Sequence, residues 1–280
     1  MYVIKFFESG FEYLEINNKK VQAKIALQGA HIFEFKIEND ALLWLSDESK
    51  FEQGVAIRGG IPICWPRFGN RDRSLPQHGF ARTSLFDLIE VKEINEDTTK
   101  VHLQLKSDKQ SRKIWDCEFI LDIVLTLGDS LGIIMTTTNR DTKEFLITQA
   151  FHTYFQLQNI EETVIEGLEG IKFLDTLHDK ESSENEVLKI TAETDRIYSG
   201  VKEDIFLKTA KRTVVIHTEN SNSAIVWNPW LEKCSKMSAI RPEAYKEFVC
   251  IESANALNDF RVLKPNDVDS LSVTYHLQRG

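Results

Sequence analysis

Apolar and polar positions alternate with a period of two along much of this chain. His31, Phe33, Phe35 and Ile37 interleave with Ile32, Glu34 and Lys36, and Val101, Leu103 and Leu105 interleave with His102, Gln104 and Lys106. Phe119, Leu121, Ile123, Leu125 and Leu127 line one side of a longer segment, and Leu271, Val273, Tyr275 and Leu277 repeat the pattern near the end. Successive side chains of an extended backbone point to opposite faces, so this alternation predicts half-buried strands. The apolar runs 131–135 and 214–216 predict further strands. Turn-forming clusters separate them: Asn17-Asn18, Glu38-Asn39-Asp40, Asn95-Glu96-Asp97, Gly128-Asp129 and Asn220-Ser221-Asn222. Residues 242–247 predict one short helical turn, and residues 181–186 a polar loop. No long amphipathic helix, internal repeat or linker-like tract interrupts the pattern. The expectation is one all-β domain over residues 1–280, a large antiparallel β-sandwich.

Composition narrows the function more than the fold. Of 280 residues, 42% are hydrophobic and 28% charged, which supplies ample material for a core. The formal net charge of −9 argues against a general nucleic-acid surface or an anionic-membrane surface. An anionic small molecule remains compatible, because a pocket needs only two or three arginines locally. Cys64, Cys117, Cys234 and Cys250 are scattered, form no CxxC pair and lie beside apolar residues. They read as reduced structural thiols, in keeping with a cytoplasmic setting. The first residues, MYVIKFFESG, resemble neither a signal peptide nor an anchor, and no stretch approaches the roughly 18 apolar residues of a membrane span.

Four stretches carry residues that a structural strand or turn does not need. The first is RGGIPICWPRFG at 58–69, where two glycines beside Arg58 permit close backbone approach and two prolines stiffen an aromatic-rich segment. It suits a binding wall, or equally a Gly/Pro-rich corner with surface arginines. The second, HGFAR at 78–82, offers a histidine and an arginine around a glycine; the planar guanidinium matches phosphate geometry, although such residues are usually solvated. The third, FHTYF at 151–155, places His152 on one strand face with Ala150 and Tyr154, and Phe151 and Phe155 on the other. A histidine in so apolar a strand is expected to be buried, as a hydrogen-bonded core residue or as a group tuned for proton transfer. The fourth, FVCIESA at 248–254, ends an apolar run on Glu252, and carboxylates are rarely buried without a partner or a task. No G-x-S-x-G, Walker-type loop, H-E-x-x-H or cysteine pair is present. What remains is an acid–base pair accompanied by arginines.

These segments, together with TDRIY at 194–198 and WNPW at 227–230, occur in the order found in the hexose-6-phosphate mutarotases, the glucose-6-phosphate 1-epimerases. The chain resembles that branch of the galactose-mutarotase-like superfamily over nearly its whole length. The resemblance implies the superfamily's large sandwich with an open concave face. It implies His152 and Glu252 as the catalytic pair, His78 as a second histidine that binds or polarises the sugar, and Arg58, Arg82 and Asp195 as substrate-binding residues. Arg67 stands where the family often has a tryptophan, and reads as a further phosphate-binding group. Phe86 replaces another common tryptophan, and Ser238-Ala239-Ile240 stands where an aspartate often follows WNPW.

The activity implied is interconversion of the α and β anomers of a hexose 6-phosphate. Ionised Glu252 would take the C1 hydroxyl proton while protonated His152 donates to the ring oxygen. No redox step is involved, so neither cofactor nor metal is expected, and the partner is a small sugar phosphate bound by a monomer. Two rival readings are an aldose 1-epimerase acting on neutral hexoses and a carbohydrate-binding sandwich without catalysis. A purely structural sandwich explains none of the six segments.

Overall fold

In the computed structural model, which describes residues 2–69 and 74–279, the alternating segments become strands, and every pairing between strands is antiparallel. Tyr2–Phe6, Glu12–Asn17, Val21–Ala26, His31–Ile37 and Asp40–Ala41 form a five-stranded meander. Its turns follow the predicted chemistry. The Asn18 side chain accepts the Lys20 and Val21 N–H groups, and Glu38 and Asn39 adopt φ of 51° and 68° in a tight hairpin.

Two eight-stranded sheets make the body of the sandwich. One is centred on Phe119–Leu127, Ser130–Asn139, Val268–Arg279 and Arg212–Glu219. The other, which carries the candidate site, runs in the order Lys180–Ser183, Lys172–Asp175, Thr194–Ser199, Ser223–Asn228, Phe248–Asn255, Gln149–Phe151 and Ile63–Cys64, with Tyr154–Gln156 also paired to Phe248–Asn255. The alternation of Phe119–Leu127 is visible as alternating burial, because one face meets the second sheet. Leu121, Ile133 and Val273 share a core with Phe151, Phe155, Val226, Val249 and Ile251 of the site sheet. Two hydroxyl contacts cross this layer, Thr153 Oγ1 to Tyr275 Oη and Thr218 Oγ1 to Ser253 Oγ, both 2.6 Å.

All eight residues of Phe248–Asn255 are buried, which explains why this strand reads as an unbroken apolar run. One face enters the sandwich core and the other lies under the site. The short helical turn predicted at 242–247 is a 3₁₀ segment, Pro242–Lys246. The polar loop predicted at 181–186 is corrected: Lys180–Ser183 is an edge strand paired with Lys172–Asp175. It is exposed on both faces, so it has no apolar side to alternate with and gives no periodic signal.

Candidate active site

Strand register brings the two proposed acid–base residues together. Phe151 pairs with Ser253 and Tyr154 with Cys250, so the same register carried across the intervening residues sets His152 opposite Glu252. The chain leaves the ladder at His152 and Thr153, where the His152 N–H donates to the Pro62 carbonyl at 3.0 Å. The imidazole stacks on the Tyr154 ring, 5.0 Å between centroids and 10° from parallel, and meets Trp227 edge-on at 5.8 Å. His152 Nε2 lies 3.4 Å from Glu252 Oε1, a separation too long for a tight hydrogen bond. Glu252 Oε2 and His152 Nδ1 are buried and have no hydrogen-bond partner among the described residues. Unsatisfied buried polar atoms are costly, and in a cavity wall these two are available to a polar group that enters it.

Burial sets the charge states. It pushes the Glu252 carboxyl well above the usual carboxylate range, with Asp195 adding to the effect. It also pushes His152 well below the usual imidazole range, with the nearby His78 and the positive fields of Arg82 and Arg58 acting in the same direction. Both shifts favour neutral forms, a carboxylic acid beside a neutral imidazole. The charged arrangement expected from the sequence, carboxylate beside imidazolium, contains the same single proton but requires a bound group to reverse these preferences.

The other predicted residues gather around the same opening. Arg58, Arg67, His78, Arg82, His152, Asp195 and Glu252 all line one cavity of about 1020 Å³. Arg58 donates to the Tyr154 hydroxyl at 3.3 Å, and Arg82 Nη2 donates to the Gln77 carbonyl at 2.8 Å. His78 stands nearly perpendicular to His152, 5.6 Å away. Its Nδ1 accepts the Gly69 N–H at 3.4 Å, and its Nε2 lies 3.4 Å from the Gln77 side-chain amide nitrogen. Burial first, then Arg82 and Arg58, push this histidine down to about 3. Asp195 sits across the sheet from Trp227, and burial raises its carboxyl.

The glycines of the two loop motifs do approach something closely, but it is the protein itself. A Cβ on Gly59 would lie 2.6 Å from the Trp44 carbonyl oxygen, and one on Gly60 would lie 2.5 Å from that of Ile32. A Cβ on Gly79, at φ 71°, would collide with the Trp65 carbonyl. These glycines dock the loops onto the sheets and thereby aim Arg58, His78 and Arg82 at the cavity.

With this geometry in view, sequence comparison is decisive: the aldose 1-epimerase family model matches residues 12–276. The chain belongs to the aldose 1-epimerase family. Among its relatives, the protein of Escherichia coli K12 named "Putative glucose-6-phosphate 1-epimerase" is 31% identical, covering 90% of this chain and 86% of its own. A protein of Salmonella typhimurium with the same name is 34% identical, covering 88% and 83%. The crystal structure of a "putative mutarotase" from Salmonella typhimurium superimposes with a TM-score of 0.93 at 27% identity, over all of this chain and 94% of that one. Galactose 1-epimerase from Lactobacillus acidophilus shares the fold alone, with a TM-score of 0.77 at 13% identity over 100% and 98% of the two chains.

For this aldose 1-epimerase family member, sequence reasoning missed several residues of the cavity wall. Tyr154 and Trp227 frame His152, Phe68 packs edge-on against His78 at 5.4 Å, and Lys233 lines the cavity while bonded to Glu193 at 2.8 Å. Tyr154 and Trp227 lie inside quoted motifs, FHTYF and WNPW, so their aromatic character was a usable signal. Lys233 lies in a short helix, Trp230–Cys234, with no local pattern to single it out. Three cysteines, Cys64, Cys234 and Cys250, are buried, and all four are free, as structural thiols should be.

Proposed function

We propose that this protein interconverts the α and β anomers of glucose 6-phosphate or a closely related hexose 6-phosphate. The observation that carries the reading is the buried His152–Glu252 pair, with unpartnered polar atoms, in a cavity that three arginines also line. The names of the curated relatives point to the same substrate.

Mutarotation opens the hemiacetal, turns the C1 carbonyl and closes the ring on its other face. Opening removes the C1 hydroxyl proton and protonates the ring oxygen. Glu252 as carboxylate accepts the first proton and His152 as imidazolium supplies the second; closure reverses both transfers. The substrate itself promotes the required charge states. Arg82 and Arg58 help hold His152 neutral, and a phosphate dianion on those arginines cancels much of that field. A C1 hydroxyl donating to Glu252 in turn favours the carboxylate. Phosphate recognition is thereby coupled to arming the acid, so neutral sugars lose rate as well as affinity.

Saturation-transfer NMR between the anomeric protons of glucose 6-phosphate, with and without the protein, tests the reading. Faster exchange for glucose 6-phosphate than for glucose supports it. Equal acceleration of both sugars selects the neutral-hexose epimerase, and acceleration of neither leaves a carbohydrate-binding sandwich. Within the same assay, Arg82→Ala is expected to raise KM for glucose 6-phosphate by about 10- to 100-fold, the worth of a lost charge-assisted hydrogen bond to phosphate. An unchanged KM would show that the phosphate binds away from Arg82.

A further inference from the structure

His31 lies behind the loop that carries Arg58. It is 1% exposed, and its Nε2 lies 2.8 Å from the Gly59 carbonyl oxygen. A carbonyl only accepts, so Nε2 carries the proton and donates; Nδ1 has no hydrogen-bond partner among the described residues. The ring occupies the space a side chain at position 60 would need, because a Cβ on Gly60 would fall 2.7 Å from Nε2.

The rest of the loop is pinned by backbone contacts on either side. The Arg58 N–H donates to Ser49 Oγ at 2.8 Å, and the Arg58 carbonyl accepts the Ser46 N–H at 3.0 Å. The Gly60 N–H donates to the Trp44 carbonyl at 2.7 Å, and the Gly60 carbonyl accepts the Tyr154 N–H at 2.9 Å. Between these anchors, the Gly59 carbonyl is held by His31. From this loop the Arg58 guanidinium reaches the hydroxyl of Tyr154, whose ring stacks on His152.

We infer that His31 is a positioning residue for Arg58: its Nε2–H fixes the Gly59 carbonyl and so sets where the guanidinium meets the anionic end of the substrate. The inference rests on the hexose-phosphate reading of the cavity. Without the donor the buried Gly59 carbonyl is left unpaired; turning the 59–60 peptide toward another partner also breaks the Gly60 N–H bond to Trp44, and the loosened loop displaces the neighbouring Arg58. His31 touches no substrate; it acts through Arg58, on binding of the phosphorylated sugar and on the charge state that the bound phosphate sets at His152.

The test compares wild type, His31→Leu and His31→Gln by saturation transfer with glucose 6-phosphate and with glucose. His31→Leu is expected to raise KM for glucose 6-phosphate by about tenfold, the worth of one buried hydrogen bond, and to lower its kcat as well, because a misplaced phosphate arms His152 less well. The rate with glucose stays at the wild-type value. His31→Gln, whose amide still donates, recovers most of the lost affinity. A folded His31→Leu with wild-type KM, or one that loses both sugars equally, overturns the inference. On the wild-type protein, the His31 Nε2–H resonance, assigned by its loss in His31→Gln, is expected to shift when glucose 6-phosphate saturates the site and to stay in place with glucose. A resonance indifferent to both overturns the inference even where the leucine variant does not fold. Failure of the wild-type protein to accelerate glucose 6-phosphate exchange overturns the functional reading, and this inference with it.

Discussion

Replacing Glu252 by glutamine is expected to lower kcat for anomer exchange of glucose 6-phosphate by about 10³-fold, within the range positioned acid–base groups contribute. Glutamine keeps the shape and the neutral polarity that burial already favours at this position, but it cannot accept a proton. The loss should therefore appear in kcat with the fold preserved, measured as the enzyme-dependent increment in exchange rate over buffer. A variant within tenfold of wild type would remove Glu252 from the reaction.

The same variant carries a stability signature that reports the protonation state of the buried Glu252. Burial raises the Glu252 carboxyl in the folded protein, whereas in the unfolded chain it titrates near the ordinary value of about 4.5. Between those two points the folded state binds more protons than the unfolded state, so this residue makes stability fall as pH rises. The slope is up to about 1.4 kcal/mol per pH unit. Glu252→Gln abolishes that contribution. It should melt above wild type at pH 8, with the gap closing as pH falls toward 4.5. His152 works in the opposite direction: its depressed folded value makes stability fall as pH drops below about 6.5. Thermal melts of the two proteins across pH 4–8 separate these contributions, and parallel curves would show that Glu252 is ionised in the folded protein.

The second large effect belongs to the frame. The Arg212 side chain is 1% exposed and reaches across all three large sheets. It begins the strand Arg212–Glu219 of one sheet, pairs with Asp40 at 2.5 Å and donates to the Ala41 carbonyl at 2.6 Å in the meander, and donates to the Gln156 carbonyl at 3.4 Å in the sheet that carries the site. Arg212→Leu leaves two backbone carbonyls and a carboxylate without their cation. Asp40 is 34% exposed and can be rehydrated, so the loss is chiefly that of the bonds to the two carbonyls, about 2–3 kcal/mol, which for a chain of this size lowers Tm by roughly 5 °C. Adding Asp40→Asn should recover little of the loss, because the carboxylate is rehydrated. A Tm within about 2 °C of wild type for Arg212→Leu would show that the carbonyls are rehydrated at little cost.

The strands were legible because most have one wet and one dry face. Phe119–Leu127 and His31–Ile37 show this, and their hairpin turns contain asparagine, aspartate or glycine, although Glu38 also takes a positive φ. Strands with two similar faces behave differently. Phe248–Asn255 is dry on both sides and reads only as an apolar run, while Lys180–Ser183 is wet on both and was misread as a loop. In neither is there a contrast between faces for periodicity to report.

For the site, the sequence by itself determined which residue types were available and on which face each would lie. Alternation alone put His152 with Ala150 and Tyr154, away from Phe151 and Phe155, and the structure divides them in that way. Only the tertiary structure decided which of these residues meet. His152 and Glu252 are a hundred positions apart, and their contact depends on a register that a slip of one residue would send to the opposite face. The charge states were likewise beyond the sequence, because desolvation and the fields of Arg58 and Arg82 exist only once the loops are docked. A proton's preference between two side chains depends on everything within several ångströms of both, and the folded chain is what brings those groups within range.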